Sequence, residues 1–334
     1  MPETRFYDLF ENKIKENKSK LLFQKRDGWS WKQITWLDFQ TEVRSISSFL
    51  MDFGFEKGDR VLIISSNSLK CLNVELSVYL MGGCTIPLSN DFDINNLEYI
   101  LKKEKVKYVF IENEEVLAKT DKKLESKRSI RKIFVLSDYK SKIEDKVVNY
   151  KSLVKFGFLK AKKLKDELKE FTEGVEPDMP AISFYDFKGE EPKNKILTQE
   201  VFLELLQHAY KKMRFVTSDD QLYSYLTSSN SFSKLANFFT ILIGSIAAIA
   251  GNKKDFFRDV LEVMPTVMFL TKEGMERSVE HLSRTSGSHA LKKSFGGRLK
   301  YVITDSEPAH NVKNAFIGSG ISVIELPELA VLSS

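Results

Sequence analysis

Residues 180 to 199 hold the pattern most suggestive of chemistry. They run Pro180-Ala181-Ile182-Ser183-Phe184-Tyr185-Asp186-Phe187-Lys188-Gly189-Glu190-Glu191-Pro192-Lys193, then Asn194-Lys195-Ile196-Leu197-Thr198-Gln199. The stretch predicts a short buried strand, a tight polar loop and a helix starting at Thr198. In α/β proteins such a junction holds a phosphate on free backbone N–H groups at a helix N-terminus. A phosphate cradle calls for glycines, so that the backbone can approach, and for Ser or Thr hydroxyls that donate. This loop offers one glycine, Gly189, and no Ser or Thr between Tyr185 and Lys193. Asp186, Glu190 and Glu191 stand where a polyphosphate would sit. Lys188 and Lys193 still leave the loop with one net negative charge. Two like unit charges about 4 Å apart repel by about 4 kcal/mol near a protein surface. The expectation is a nucleotide-binding architecture whose phosphate grip is lost.

The elements that must position this loop alternate along the chain. Phe6, Leu9, Phe10 and Ile14 recur at helical spacing, and Leu21 to Trp31 predicts a hairpin turning at Asp27-Gly28. A helix follows through Phe39, Val43, Ile46 and Leu50. Val61–Ile64, Cys84–Leu88, Tyr108–Ile111 and Ile133–Leu136 are apolar runs of strand length. Ser68 and Asp93 begin the helices between them. After Thr198 the same rhythm resumes, with strands at 222–226, 246–250, 266–270, 299–303 and 321–324. Strands separated by helices of this length imply βαβ units and mainly parallel sheets. Leu235 to Ala250 is nearly all apolar but too short for a membrane span, and is read as a buried helix ending near Gly244 plus a buried strand.

With 334 residues, 42% hydrophobic and 29% charged, the chain has the composition of an ordinary globular protein. Its net charge of +5 demands neither nucleic acid nor membrane. The start of the chain has no apolar signal region. Cys71 and Cys84 lack metal spacing and are read as small core residues in a reducing, cytoplasmic setting. His208, His281, His289 and His310 show neither metal spacing nor a nucleophile–base pairing, so no metal site and no catalytic residue is assigned. Lysines crowd residues 140 to 173, where Val154, Phe158, Ala161, Leu164 and Leu168 repeat at helical spacing. That segment is expected to be a surface helix with a solvated basic face; a weak contact with anionic lipid headgroups is the sharper alternative.

The order of elements resembles the N-terminal part of the adenylate-forming superfamily, and within it the long-chain fatty acyl-CoA synthetases. Thr35-Trp36, Gly54-Phe55-Glu56-Lys57-Gly58-Asp59-Arg60-Val61 and Gly82-Gly83-Cys84-Thr85-Ile86-Pro87-Leu88 carry the likeness early. Pro265-Thr266-Val267-Met268-Phe269 and Gly297-Arg298-Leu299-Lys300-Tyr301-Val302-Ile303 carry it later. The resemblance implies two stacked, doubly wound, mainly parallel sheets with helices on both faces. It divides the chain into subdomains 1–178 and 179–334, without the family's β-barrel and C-terminal lid domain. The family's phosphate loop, Y-T-S-G-T-T-G-x-P-K-G, falls on Phe184 to Asn194. The vestigial positions are Asp186, Lys188, Gly189, Pro192 and Lys193, with only Pro192 and Lys193 matching. The Thr-His that follows appears as Thr198-Gln199, and the family's aromatic position after the next strand falls on Asn230. The adenine turn becomes Asp305-Ser306-Glu307-Pro308, and of the Mg²⁺-serving Y-G-x-T-E only Glu328 persists.

Adenylation relies on electrostatic stabilisation, and removing one donor typically costs about 3–4 kcal/mol. The expectation is therefore a catalytically inactive, acyl-CoA synthetase-like protein serving as a binding or scaffolding subunit, with no cofactor. A protein partner or homo-oligomer is expected, and no nucleic acid. A fatty acid is a candidate ligand, with Phe202, Leu206, Phe238, Phe239 and Leu242 as acyl-binding candidates beside a role in core packing. The alternative is an ATP- and Mg²⁺-dependent fatty acyl-CoA or acyl-adenylate ligase completed by a partner chain.

Overall fold

The computed structural model describes residues 3–189, 191–224, 231–250, 255–283 and 290–327. In chain order the elements begin α1 (Phe6–Asn17), β1 (Leu21–Asp27), β2 (Ser30–Thr35), α2 (Trp36–Asp52), β3 (Arg60–Ile64), α3 (Leu69–Leu80) and β4 (Cys84–Leu88). They continue α4 (Ile94–Lys103), β5 (Val106–Ile111), α5 (Glu114–Glu125), β6 (Lys132–Val135), β7 (Val147–Asn149), α6 (Tyr150–Ala161) and α7 (Lys165–Glu173). Next come β8 (Pro180–Asp186), β9 (Lys193–Thr198), α8 (Gln199–Lys212), β10 (Gln221–Ser224), α9 (Ser231–Ile243) and β11 (Ile246–Ile249). The last are α10 (Phe256–Val263), β12 (Val267–Phe269), α11 (Lys272–Ser283), α12 (Ala290–Ser294), β13 (Tyr301–Thr304), α13 (His310–Gly318) and β14 (Ser322–Glu325).

The strands form two seven-stranded sheets, ordered β7-β6-β5-β3-β4-β8-β9 and β14-β13-β12-β10-β11-β1-β2. Both are parallel except at one edge, where β9 runs antiparallel to β8 and β2 to β1. The two orders are the same topology: five parallel strands arranged 5-4-3-1-2, then a hairpin. The chain divides into two compact units, Met1–Glu16 with Leu37–Glu204, and Asn17–Trp36 with Leu205–Ser334. That differs from a cut at 178/179, because β8 pairs with β4 and β9 with β8, which keeps the hairpin in the first sheet.

Parallel strands covered on both faces should be apolar throughout, and β4 and β6 are buried at every residue. In the first unit the alternation of side chains sorts the sheet into two cores. Val61, Ile63, Tyr108, Phe110 and Phe134 face one way; Leu62, Ile64, Val109, Ile111, Ile133 and Val135 face the other. In the second unit Tyr223, Met268 and Val302 anchor one such cluster. Ser68 caps α3 by accepting from the Cys71 N–H, and Asp93 caps α4 by accepting from the Asn95 N–H, as expected. The apolar run from Leu235 is α9 followed by β11, and no helix among the described residues is long and apolar enough to cross a membrane.

The lysine-rich segment departs from expectation. It is two helices, α6 and α7, broken at Lys162–Leu164. The buried line of α6 is Tyr150, Leu153 and Gly157, while Phe158, expected on the apolar face, is 57% exposed. Gly157 explains the rotation. A Cβ there would lie 1.8 Å from the Ser45 carbonyl oxygen, so α6 touches α2 backbone to backbone. Gly157→Ala therefore forces the helices apart. It should destabilise by about 1–3 kcal/mol in urea melts, whereas Phe158→Ser, one residue on but exposed, should leave the midpoint unchanged. Equal midpoints for Gly157→Ala and wild type would refute the close contact.

Candidate functional site

The phosphate-loop stretch folds as the tip of the β8–β9 hairpin. Residues Ala181 to Phe184 of β8 are buried. Beyond Asp186 the chain turns and comes back, so that Asp186 pairs with Lys193 and Tyr185 with Asn194. A second strand, Lys193–Thr198, thus separates the loop from α8, which starts at Gln199. The expected strand–loop–helix junction is corrected to strand–loop–strand. The physical reason is that β9 is an edge strand, exposed from Lys193 to Ile196, so its sequence carries no hydrophobic alternation to announce it.

Several polar groups of the tip are already bonded within the chain. Asp186 Oδ1 accepts the Lys188 N–H at 3.0 Å, closing an Asx turn that uses a backbone donor at this position. Phe187 stacks on Tyr185 at 5.9 Å, and Tyr99 meets both rings edge-on at 6.2 and 6.1 Å. The Tyr185 hydroxyl donates to Glu104 Oε1 at 2.7 Å. Asn194, at the motif's last glycine position, donates to the Tyr185 oxygen at 3.0 Å and accepts from Ser183 Oγ at 3.0 Å. Arg60 Nε faces Glu104 Oε2 at 3.3 Å. Lys188, Gly189 and Lys193 are exposed and Pro192 is half-buried. Glu190 lies outside the described residues. The network of Arg60, Glu104, Tyr185 and Asn194 was not visible in the sequence, because Glu104 and Asn194 are 90 positions apart. Only the short Asp186-to-Lys188 spacing carried a local signal, that of an Asx turn.

The adenine-turn residues follow β13 in the second unit. Asp305 Oδ1 accepts the Lys272 N–H at 3.1 Å and the Ser306 hydroxyl at 3.3 Å, anchoring the start of α11. Glu307 is exposed and Pro308 buried. Glu328 and Asn230 lie outside the described residues. Nearby Glu325 is held by Lys313 at 2.6 Å, and this hydrogen bond lifts the Lys313 ammonium pKa. In the first sheet the strand order reverses beside β3, where α/β folds place ligands outside the strand ends. There Glu112 Oε2 accepts from the Ser66 N–H at 2.9 Å, the Ser66 hydroxyl at 3.0 Å and Asn90 Nδ2 at 2.7 Å. No group of three metal-ligating side chains occurs among the described residues.

Of the acyl-binding candidates, Phe202, Leu206, Phe238 and Phe239 are buried and Leu242 is half-buried. In the first unit Phe202 packs edge-on against Phe6 at 5.3 Å. In the second, Phe239 packs against Phe269 at 5.9 Å. Cys71 and Cys84 are buried and in no disulfide, and burial pushes the Cys84 thiol pKa up to about 12. His208, His281 and His310 are exposed, His281 lying flat on Phe257 at 4.1 Å.

Burial, and then the hydrogen bond to Glu104, raise the Tyr185 phenol pKa above its ordinary value of 10.0. The unfolded chain ionises this phenol near pH 10 while the folded one keeps its proton. The contribution is complete below that pH and is lost as pH rises through the elevated folded value. Tyr185→Phe should cost about 1 kcal/mol at neutral pH and should flatten the alkaline fall in stability. Urea melts of both proteins between about pH 8 and 11.5 test this; parallel curves would show that the folded chain does not hold the phenol neutral.

Comparison with known proteins places this geometry. A 90-residue segment is 28% identical to YtcI, an uncharacterized acyl-CoA ligase of Bacillus subtilis (strain 168); it spans 27% of this chain and only 16% of that one. The structure is similar to a Rhodopseudomonas palustris CGA009 protein assigned as a long-chain-fatty-acid CoA ligase, with a TM-score of 0.74 and 15% identity over 96% of this chain and 74% of that one. The inhibitor-bound N-terminal domain of FACL13 from Mycobacterium tuberculosis gives a TM-score of 0.71 at 12% identity, over 97% and 75%. At these identities the structural likeness establishes the fold: an acyl-CoA synthetase-like α/β architecture, matching the N-terminal portion of such proteins. The sequence model described as AMP-binding enzyme matches residues 10–185 and stops at Tyr185, one residue short of Asp186. That match spans more than half of the 334 residues, and the chain belongs to the AMP-binding enzyme family.

Proposed function

We propose that this chain is a family member that does not form adenylates and serves as a binding or scaffolding subunit in the cytoplasm, with acyl compounds as its ligand class. The observation that carries the reading is the β8–β9 tip. Its one glycine is followed by acidic residues, it offers no Ser or Thr hydroxyl, and Asp186 already accepts the Lys188 N–H. A triphosphate arriving there would have to displace a carboxylate from a backbone donor and sit beside like charge. Family membership supports the acyl class, since the relatives it resembles are named as acyl-CoA ligases. Two buried cysteines in no disulfide support the reducing, cytoplasmic setting.

Thermal unfolding with ATP·Mg, AMP, CoA and fatty acids tests the reading, alongside ATP–pyrophosphate exchange. A ligand at 100 times its dissociation constant adds about 2.7 kcal/mol, so a bound nucleotide would be plain. The expected result is no shift with ATP·Mg and no exchange with any fatty acid. Saturable stabilisation by ATP·Mg together with exchange would sink the proposal. Exchange that appears only when a second chain is added would favour a ligase assembled from two chains.

A further inference from the structure

The first unit carries a cleft that the nucleotide-site argument does not use. Its lining comes from α1, α2, the end of α3 and the α6–α7 segment and encloses about 640 Å³, within the usual range of about 300–1,000 Å³ for small-molecule sites. The deep part is apolar, with Phe10, Leu80 and Leu168 all buried. Of the hydroxyls that reach it, Ser47 donates to the Val43 carbonyl, Ser48 to that of Arg44 and Thr172 to that of Leu168, each within its own helix, while Tyr7 donates to Glu173 Oε1 at 3.3 Å. None is left donating into the cleft.

The mouth is charged, and the charges do not balance. Each acid has a cation: Asp8 meets Arg5 at 2.8 Å, Glu11 meets Arg44 at 2.7 Å, and Glu173 meets Lys169 at 3.8 Å. Lys15, Lys162 and Lys165 also line the cleft, are exposed, and have no side-chain ion-pair or hydrogen-bond partner among the described residues. Three such cations around an apolar recess create a field that favours a negative group at the rim. Their methylene stems extend the apolar surface while the ammonium groups stay wet.

We propose that this cleft binds a single-chain anionic amphiphile, its hydrocarbon against Phe10, Leu80 and Leu168 and its carboxylate or phosphate among Lys15, Lys162 and Lys165. The inference is independent of the nucleotide reading, since no residue of the β8–β9 tip lines the cleft. The measurement is equilibrium dialysis of the full chain against radiolabelled myristate, tetradecyl phosphate and tetradecanol, each kept monomeric. Both anions should bind saturably at one site, and tetradecanol at least tenfold more weakly. The double variant Lys162→Glu/Lys165→Glu should weaken myristate at least tenfold, Lys163→Glu outside the cleft should not, and Ala161→Trp should fill the recess and abolish binding. The comparison of anionic with neutral chains needs no variant and stands even if Ala161→Trp does not fold. Absence of saturable binding, equal binding of alcohol and anion, or myristate binding unchanged by the charge reversal would overturn the proposal. So would capture by phosphatidylglycerol vesicles without binding of any monomer, which would make the lysines a membrane-adhesive surface instead.

Discussion

A backbone N–H near the end of a parallel strand can serve an anionic ligand only while nothing in the chain accepts from it. In this protein, side-chain carboxylates meet such donors at three points. Asp186 takes the Lys188 N–H at the hairpin tip, Glu112 takes the Ser66 N–H where the first sheet reverses, and Asp305 takes the Lys272 N–H in the second unit. A hydrogen bond with a charged acceptor contributes about 1.5–3 kcal/mol. A phosphate competing for these donors would have to exceed that and also leave a carboxylate without its partner. The same three contacts fasten loops to the sheets.

The β8–β9 hairpin is held in place by pairing and packing together. Its strand β8 lies between β4 and β9, and the tip folds onto the ring of Tyr99. Glu104, which ends α4, gathers Tyr185, Asn194 and Arg60. Together these side chains set where the tip can be. The second sheet repeats the arrangement with β1–β2 at its edge, using a different turn, Gly28 at φ +59°. One topology thus recurs with two unrelated edge hairpins.

Backbone contact at Gly157 has consequences beyond stability. It turns α6 so that Tyr150 and Leu153 face the core and Phe158 faces outward. The break after Ala161 then carries Lys162 and Lys165 to the rim of the apolar recess beside α1. A basic segment that seemed in composition to be a solvated face becomes one wall of a cleft.

Much of the architecture was legible in the residues themselves. Apolar runs of strand length at Val61–Ile64 and Ile133–Val135, capping residues at Ser68 and Asp93, and the apolar stretch from Leu235 specify their elements locally, because burial on both faces and side-chain capping leave direct marks in composition. The chemical poverty of the 186–193 loop was equally visible, since residue types decide which donors exist. Other features depended on long-range partners. Edge strand β9 has no alternation of its own and exists because β8 offers it hydrogen bonds. The outward turn of Phe158 follows from the meeting of Gly157 with Ser45, 112 positions earlier. The network around Glu104 and the unbalanced lysines of the cleft likewise join segments far apart in the chain. Local burial and capping are properties of neighbouring residues, whereas strand pairing, charge balance and close backbone approach arise only when the folded chain brings distant residues together.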